Sequence, residues 1–398
     1  MTKRREIADG MKTRIAPLLA SVQARLGPLA GMLRPILVPF LAVVSALMIG
    51  AIVIAISGRN PLLAYAGLID GSWGSGRAIA GTLVRMTPYV FGGLAVALAF
   101  RAGLFNIGGE GQLLLGTLAG AWVGYQLALP AVIHLPLALL AGVLAGFIWG
   151  GIPGFLKSRT GAHEVITTIM LNYLAIGLAG WLLNDNRLMK DPSPTNVIAR
   201  TPLIAESAHL PALIPGQDAY PSASAAPEIV HWGVVLAVLA TIAASFFLWR
   251  TVWGFEVRTV GANPSAGRYA GINVPRVITL IMGVSGALAG LGGAIQVTAV
   301  NYRAILGFNV GYGFDAIAIA LLGKNNPFGV LLAALLFASL RSGSTRMQSL
   351  SGVNADIIAV IQALILIFVA ADQLVRWLYR IRARGLEERT TLTRGWGR

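Results

Sequence analysis

At 398 residues, with 56% hydrophobic and only 12% charged, the chain is too apolar for a single water-soluble core and reads as an integral membrane protein. Its formal charge of +15 does not signal nucleic acid: the basic residues crowd into the two tails and the short connections between apolar runs, and no helix-turn-helix or aromatic RNA-binding signature is present. The absence of cysteine excludes disulfides, thiolate metal ligands and a cysteine nucleophile.

Residues 1–34 carry Lys3, Arg4, Arg5, Lys12, Arg14, Arg25 and Arg34, a cytoplasmic lead-in that does not have the pattern of a cleavable signal. A first span follows at 36–56, then an external connection over 57–81 broken by Pro61, with Trp73 near the interface. A second span covers 82–100, kinked at Pro88, and Arg101 marks the return to the inner surface. The apolar stretch 104–129 opens with FNIGGEGQ. There Gly108, Gly109 and Gly111 loosen the helix and Glu110 and Gln112 are polar at membrane depth, so a broken or close-packed helix is expected. Spans at 137–156 and 164–183 flank a basic turn containing Lys157 and Arg159, and Glu164 most simply opens the second of them. Residues 184–231 form a long external segment rich in Pro, Ser and Ala, whose acids outnumber its bases, and 232–248 is the sixth span.

Between the two apolar halves lies RTVWGFEVRTVGANPSAGRYAGINVPR, residues 250–276, with Arg250, Arg258, Arg268 and Arg276 against Glu256 alone. Its charge places it in the cytoplasm, and Trp253, Phe255 and Tyr269 give it apolar faces able to dock on a partner. NPSAGRYAG reads as a short helix with Asn263 as cap, Pro264 at its first position and Gly271 as terminator. The second half has a span at 277–300, an external connection at 301–309, a segment at 311–322, a turn at GKNNP, and apolar runs at 328–340 and 357–374. The two pieces flanking Lys324 are short for full spans and suggest half-helices or helices lengthened by their flanks. With a basic tail over 376–398 also inside, the crossing count is even, and about ten fit best. FNIG at 105–108 and FNVG at 308–311 each open a Gly-interrupted segment, the first at the inner side and the second at the outer, as an inverted repeat requires. The expected fold is an all-α integral membrane protein of about ten transmembrane helices in two inverted-repeat halves with broken or short helices, its membrane domain covering 35–375.

No P-loop, HExxH or GxSxG motif occurs, and no carboxylates cluster with histidine, so ATP hydrolysis, zinc hydrolysis and triad catalysis have no starting point and no metal site is nominated. Polar groups inside spans usually face a cavity or another helix, which singles out Asn106, Glu110, Gln112, Asn172, Gln296, Asn309 and Asp315 as translocation-pathway candidates. Each has a plainer reading beside it. Glu110 and Asp315 stand where a helix N-terminus would favour a carboxylate, and Asn172 could join two helices by a hydrogen bond. The glycines of 283–293 read as close helix packing.

Four ordered motifs, RAGLFNIGGEGQ from Arg101, EVITTIMLNY from Glu164, VGANPSAGRYAGI from Val260 and GFDAIAIALLGKNNPFG from Gly313, resemble permease subunits of bacterial ATP-binding-cassette (ABC) importers. The resemblance lies with the branched-chain amino acid and ribose permease family and, within it, the nucleoside or simple-sugar branch. It implies alternating access, with two ATP-binding subunits, a second homologous permease and an extracytoplasmic substrate-binding lipoprotein as partners. ATP and Mg would sit on the partner subunits, this chain holding no cofactor, and cargo would be a small polar solute. It also implies that Glu256, Arg258, Asn263, Ser265, Arg268, Tyr269 and Gly271 belong to an ATPase-coupling loop. Ser265 stands where the family's coupling pattern has Glu, and Gly267 where it has Ala. A secondary transporter driven by an ion gradient would need a mid-membrane ion site, which the scarcity of paired acids within spans does not offer.

Overall fold

The lengths of the apolar runs translate into helices. In a computed structural model, residues 37–185, 187–193, 198–213, 229–307, 311–371, 375, 378 and 379 are described. Their helices are α1 (Leu37–Ile56), α2 (Pro61–Trp73), α3 (Gly76–Arg101), α4 (Gly109–Gln126), α5 (Ala131–Thr160), α6 (Glu164–Asn184) and α7 (Trp232–Arg250), then α8 (Val252–Ala262), α9 (Pro264–Tyr269), α10 (Val274–Gln296), α11 (Tyr312–Leu322), α12 (Pro327–Ser351) and α13 (Ile357–Ala370). Among the described residues there are no strands, only two isolated bridges. Seven helices, α1, α3, α5, α6, α7, α10 and α12, are long and apolar enough to cross a bilayer. The chain is a multi-pass, all-α membrane protein. The shorter apolar helices α11 and α13 accompany these seven. The N-terminal segment 1–34 and the tail 376–398 lie outside the described residues, apart from 378 and 379.

Several boundaries differ from those read in the sequence, for identifiable reasons. The stretch 57–81 is not an open connection. Asn60 accepts hydrogen bonds from the amides of Leu62 and Leu63 and starts α2, with Pro61 at its first position. Ser75 then caps α3 through the Ala78 amide, six residues before the expected start. α12 is a full 25-residue helix, the second of the two expected alternatives: the apolar piece is lengthened by its flank, because polar residues from Arg341 onward continue it where hydropathy alone stopped at Leu340. The basic stretch is two helices, α8 and α9, instead of a loop with one.

α3 is the central helix. Of its apolar window 83% is buried, against 22% for α5 and for α6, whose outer faces are left for lipid. α5 and α10 pack most closely, through glycines four residues apart on α5, Gly142, Gly146 and Gly150, set against Gly286, Gly290 and Met282 of α10. At Gly290 three helices meet, since its backbone touches Gly116 of α4 as well as Gly142 of α5. The glycine-rich run 283–293 is thus a packing surface. α2 lies on the far half of α12, with Gly71 against Gly343 and Arg346 paired to Asp70 at 2.8 Å.

The described part of segment 184–231 is folded onto the connection after α10. The amides of Thr201, Ile204 and Leu210 donate to the carbonyls of Ala304, Tyr302 and Thr298, each at 2.9 Å. His134, buried at the start of α5, ties this layer down through Ser207 at 2.7 Å and the Val123 carbonyl at 3.0 Å.

Two expectations follow. Gly290→Leu overpacks the α4–α5–α10 contact and lowers stability by at least about 1–3 kcal/mol, whereas Gly177→Leu on the open face of α6 is tolerated; thermal unfolding of the detergent-purified chain measures both. His231 is buried and caps α7 by accepting from the Gly233 amide at 3.1 Å, and burial pushes its pKa down from 6.5 to about 4. Because the fold favours the neutral ring, this contribution is complete above about 6.5 and is lost as pH falls from there toward 4. Melting temperature therefore drops between pH 7 and 5 more in the natural chain than in His231→Asn, which keeps a capping acceptor without titrating.

Candidate functional site

Past Arg101 the chain turns at Gly103 (φ +72°) and re-enters the protein as 104–108 before α4 begins. This stretch interrupts a membrane-buried chain, so its backbone polar groups need protein partners. Asn106, fully buried, supplies several. Its Nδ2 donates to Gln112 Oε1 at 2.9 Å and to Ser285 Oγ at 2.7 Å, and its Oδ1 accepts from the Gly108 amide and from Gln112 Nε2, each at 3.0 Å. The Ser285 hydroxyl in turn donates a hydrogen bond to the Ala95 carbonyl of α3 at 2.6 Å. From α6, Asn172 clamps the same stretch, its Oδ1 accepting from the Gly111 amide at 2.9 Å and its Nδ2 donating to the Ile107 carbonyl at 2.8 Å.

Glu110 completes the junction from the other direction. Its Oε1 accepts from the Gly311 amide at 2.9 Å and its Oε2 from the Gly313 amide at 2.7 Å, so a carboxylate in the first turn of α4 caps the N-terminus of α11. Gly109 lies against Gly313. Two helix N-termini, each carrying partial positive charge, therefore face one another with the carboxylate between them. From this point α4 and α11 diverge. α4 runs to the end where the Ala205 amide donates to Gly124, and α11 to the opposite end of α10, where Arg101 Nε donates to the Asn325 carbonyl at 2.8 Å. Gly311, the last residue of the second motif and the only one of the four among the described residues, thus lies within hydrogen-bond reach of Glu110, two residues past the first motif, and the helices that follow the two run in opposite directions.

The sequence-nominated residues thus separate by role. Asn106, Gln112, Asn172 and Glu110 come together and hold the broken helices. Gln296 is buried at the end of α10. Asn309 lies outside the described residues. Asp315, on the next turn of α11, is only partly buried and accepts from Tyr89 of α3 at 2.9 Å. Tyr89 also packs edge-on against Tyr312, ring centres 5.1 Å apart. Beside them stand Arg85 of α3 and Arg341 of α12, whose charges act on Tyr312, and Arg341 also on Asp315. Sequence reading passed over both arginines, although a charge within a span is itself the signal. Glu164 behaves as expected, opening α6 and pairing with Lys157 at 3.0 Å.

At the far end of α7 the chain makes a basic elbow. Thr251 caps α8 through the Gly254 amide at 3.0 Å, and Gly254, Val257 and Val260, three apart, face inward. That spacing is a helical signal hidden among the basic residues. Asn263 then caps α9, accepting from Ser265 and Ala266, and Gly271 ends the elbow at φ +81°. Ser265, Arg268 and Tyr269 point outward, Tyr269 being 98% exposed, while Glu256 is partly covered. Arg258 is not free for docking: it lies over Trp249 at 4.6 Å and donates to the Gly254 carbonyl. Arg101 also stacks on Trp249, at 5.3 Å. Trp249 is thereby held between the guanidinium groups of α8 and of the α3 terminus, and through Arg101 reaches the turn after α11.

Residues 78–370 match the family described as branched-chain amino acid transport system / permease component. The chain belongs to this permease family. Its relatives include the guanosine ABC transporter permease protein NupP of Bacillus subtilis, 40% identical over 87% of this chain and 96% of that protein. The glucose ABC transporter permease protein TsgB13 of Haloferax volcanii is 37% identical over 86% of this chain and 89% of its own length. The nucleoside ABC transporter permease protein NupB of Lactococcus lactis subsp. cremoris is 34% identical over 86% and 92%.

Replacing Glu110 by Gln keeps the shape of this permease but removes the charge and turns one of the two acceptor oxygens into an NH2 donor, so only one of the Gly311 and Gly313 amides keeps its acceptor. The expected cost is about 1.5–3 kcal/mol of stability, with Glu110→Ala worse because both amides lose their acceptor. Chemical or thermal denaturation of the three purified chains orders them.

Proposed function

We propose that this chain is the membrane-spanning permease of an ABC importer for nucleosides, working by alternating access. Membership of the permease family supports the transport class, and relatives named for guanosine and for nucleosides match almost end to end. The observation that carries the mechanism is the elbow: α9 projects Arg268 and Tyr269 outward, while α8 is tied through Trp249 to the ends of α3 and α11. A partner that grips α9 thus has a connection into the membrane core.

In this reading that partner is one of two ATP-binding subunits, which hold ATP and Mg and perform the hydrolysis, so this chain is not itself the enzyme. A second homologous permease completes the pathway, and an extracytoplasmic lipoprotein delivers cargo. The chain sits in the bacterial inner membrane with both termini in the cytoplasm, the arrangement its basic tails favour. The folded segment over 198–213 is the proposed landing surface for the lipoprotein. A simple-sugar permease is the second reading, favoured by the relative named for glucose.

Uptake of labelled purine nucleoside by cells with and without the chain tests the proposal. Loss of uptake on deletion, with competition by unlabelled nucleosides and not by ribose, is the expected result; loss of ribose or glucose uptake alone moves the cargo to sugars. In the same cells Tyr269→Ala lowers uptake and reduces copurification of the ATP-binding subunits, because the ring, almost fully exposed among the described residues, has no packing there to lose.

A further inference from the structure

α12 changes character halfway along its length. Up to Leu340 it is apolar, and from Arg341 it reads RSGSTRMQSLS, yet it remains one helix. One side of this polar half is already used: Gly343 and Met347 are buried against α2, and Arg346 pairs with Asp70. A different side exposes Arg341, Thr345 and Gln348, which at spacings of four and three residues form a single stripe.

The stripe runs from depth toward the surface. Arg341 stands about 21 Å along the helix from Pro327 and about 15 Å from Ser351, inside a hydrocarbon layer about 30 Å thick, whereas Gln348, about 4–5 Å from Ser351, reaches the edge of that layer. α3 runs antiparallel to α12, with Gly93 beside Val330. Arg85, about 14 Å from the start of α3, therefore lies at the same level. A guanidinium facing lipid is strongly disfavoured, and polar groups at this depth turn toward water or protein. The faces of this protein that suit lipid look different: α5 and α6 expose Leu144, Ile148, Met170 and Leu174.

We infer that the Arg341–Thr345–Gln348 face, with Arg85, Tyr312 and Asp315 at its inner end, is the water-lined cargo route and takes a neutral solute bearing both hydrogen-bond donors and acceptors. The inference rests on the importer reading and names the residues its cargo meets. Arg85 and Arg341 can only donate, and an ionised Asp315 can only accept, so a solute with one kind of group satisfies half of the set. Asp315 sets an acidic group beside the two arginines, so both signs of charge line the route. Tyr312, edge-on to Tyr89, adds aromatic surface for a planar base. A purine nucleoside has this combination of groups.

Because the chain has no cysteine, single Arg341→Cys, Thr345→Cys and Gln348→Cys variants can be probed in the assembled importer against the unmodified chain as background. Leu332→Cys, on an exposed apolar position earlier in α12, is the lipid-facing control. A charged, membrane-impermeant methanethiosulfonate reagent is expected to label the three stripe variants at least roughly tenfold faster than the control. Guanosine should slow the labelling, and labelling should block uptake. Arg341→Ala should raise the half-saturating guanosine concentration for uptake roughly tenfold, the scale of one charged hydrogen bond. Stripe variants as unreactive as Leu332→Cys, or labelled without effect on uptake, overturn the inference. Protection by glucose or ribose in place of guanosine keeps the route and overturns the nucleoside reading alone.

Discussion

Inside a bilayer an interrupted helix has no water to satisfy its backbone, and the architecture around α4 and α11 follows from that constraint. Breaking the chain after Arg101 and again before Tyr312 frees amides at membrane depth. They are met by Asn106, Asn172 and above all Glu110, whose two oxygens serve two amides of α11. The carboxylate is tolerable there because it faces the positive ends of two helices. Without it, two N-termini would confront each other across a low-dielectric gap. The close approach also requires Gly313, since a side chain there would collide with the backbone of Glu110.

This junction is connected to the surface by a short path. α11, eleven residues long, begins at Glu110 and ends in the turn held by Arg101, whose guanidinium shares Trp249 with Arg258 of α8. A displacement of α9 reaches the mid-membrane junction through α8, Trp249 and one rigid helix of about 16 Å. The glycine seam between α5 and α10 plays the complementary part. Backbones in direct contact have no side chains to rearrange, so that pair forms a stiff frame against which α11 is positioned.

Much of this was legible in the sequence. Apolar runs announced the spans, Asn263, Pro264 and Gly271 announced α9, and the glycines of 283–293 announced close packing, because each depends on local chemistry that a bilayer or a helix terminus imposes wherever it occurs. Where local signals overlapped, reading failed: α2 was hidden by its flanking Gly and Ser, α8 by its charges, and the second half of α12 by polar residues that hydropathy treats as the end of a span. Glu110 and Asn172, singled out as polar, are both buried and hydrogen-bonded to other segments: Asn172 joins α6 to the 107–111 stretch, and Glu110 reaches across to Gly311 and Gly313.

What the sequence determined by itself was the class of protein, its membrane-crossing segments and the residues too polar to lie idle within them, since the free energy of placing each residue in hydrocarbon is a property of that residue and its neighbours in the chain. Tertiary structure alone decided which partners those residues take. That Glu110 caps a helix through Gly311, 201 residues away, and that Arg85 and Arg341 come together beside Tyr312 are matters of how separate helices pack. Contacts between distant segments are set by shape and by the joint satisfaction of many groups, and no local pattern in one chain encodes them.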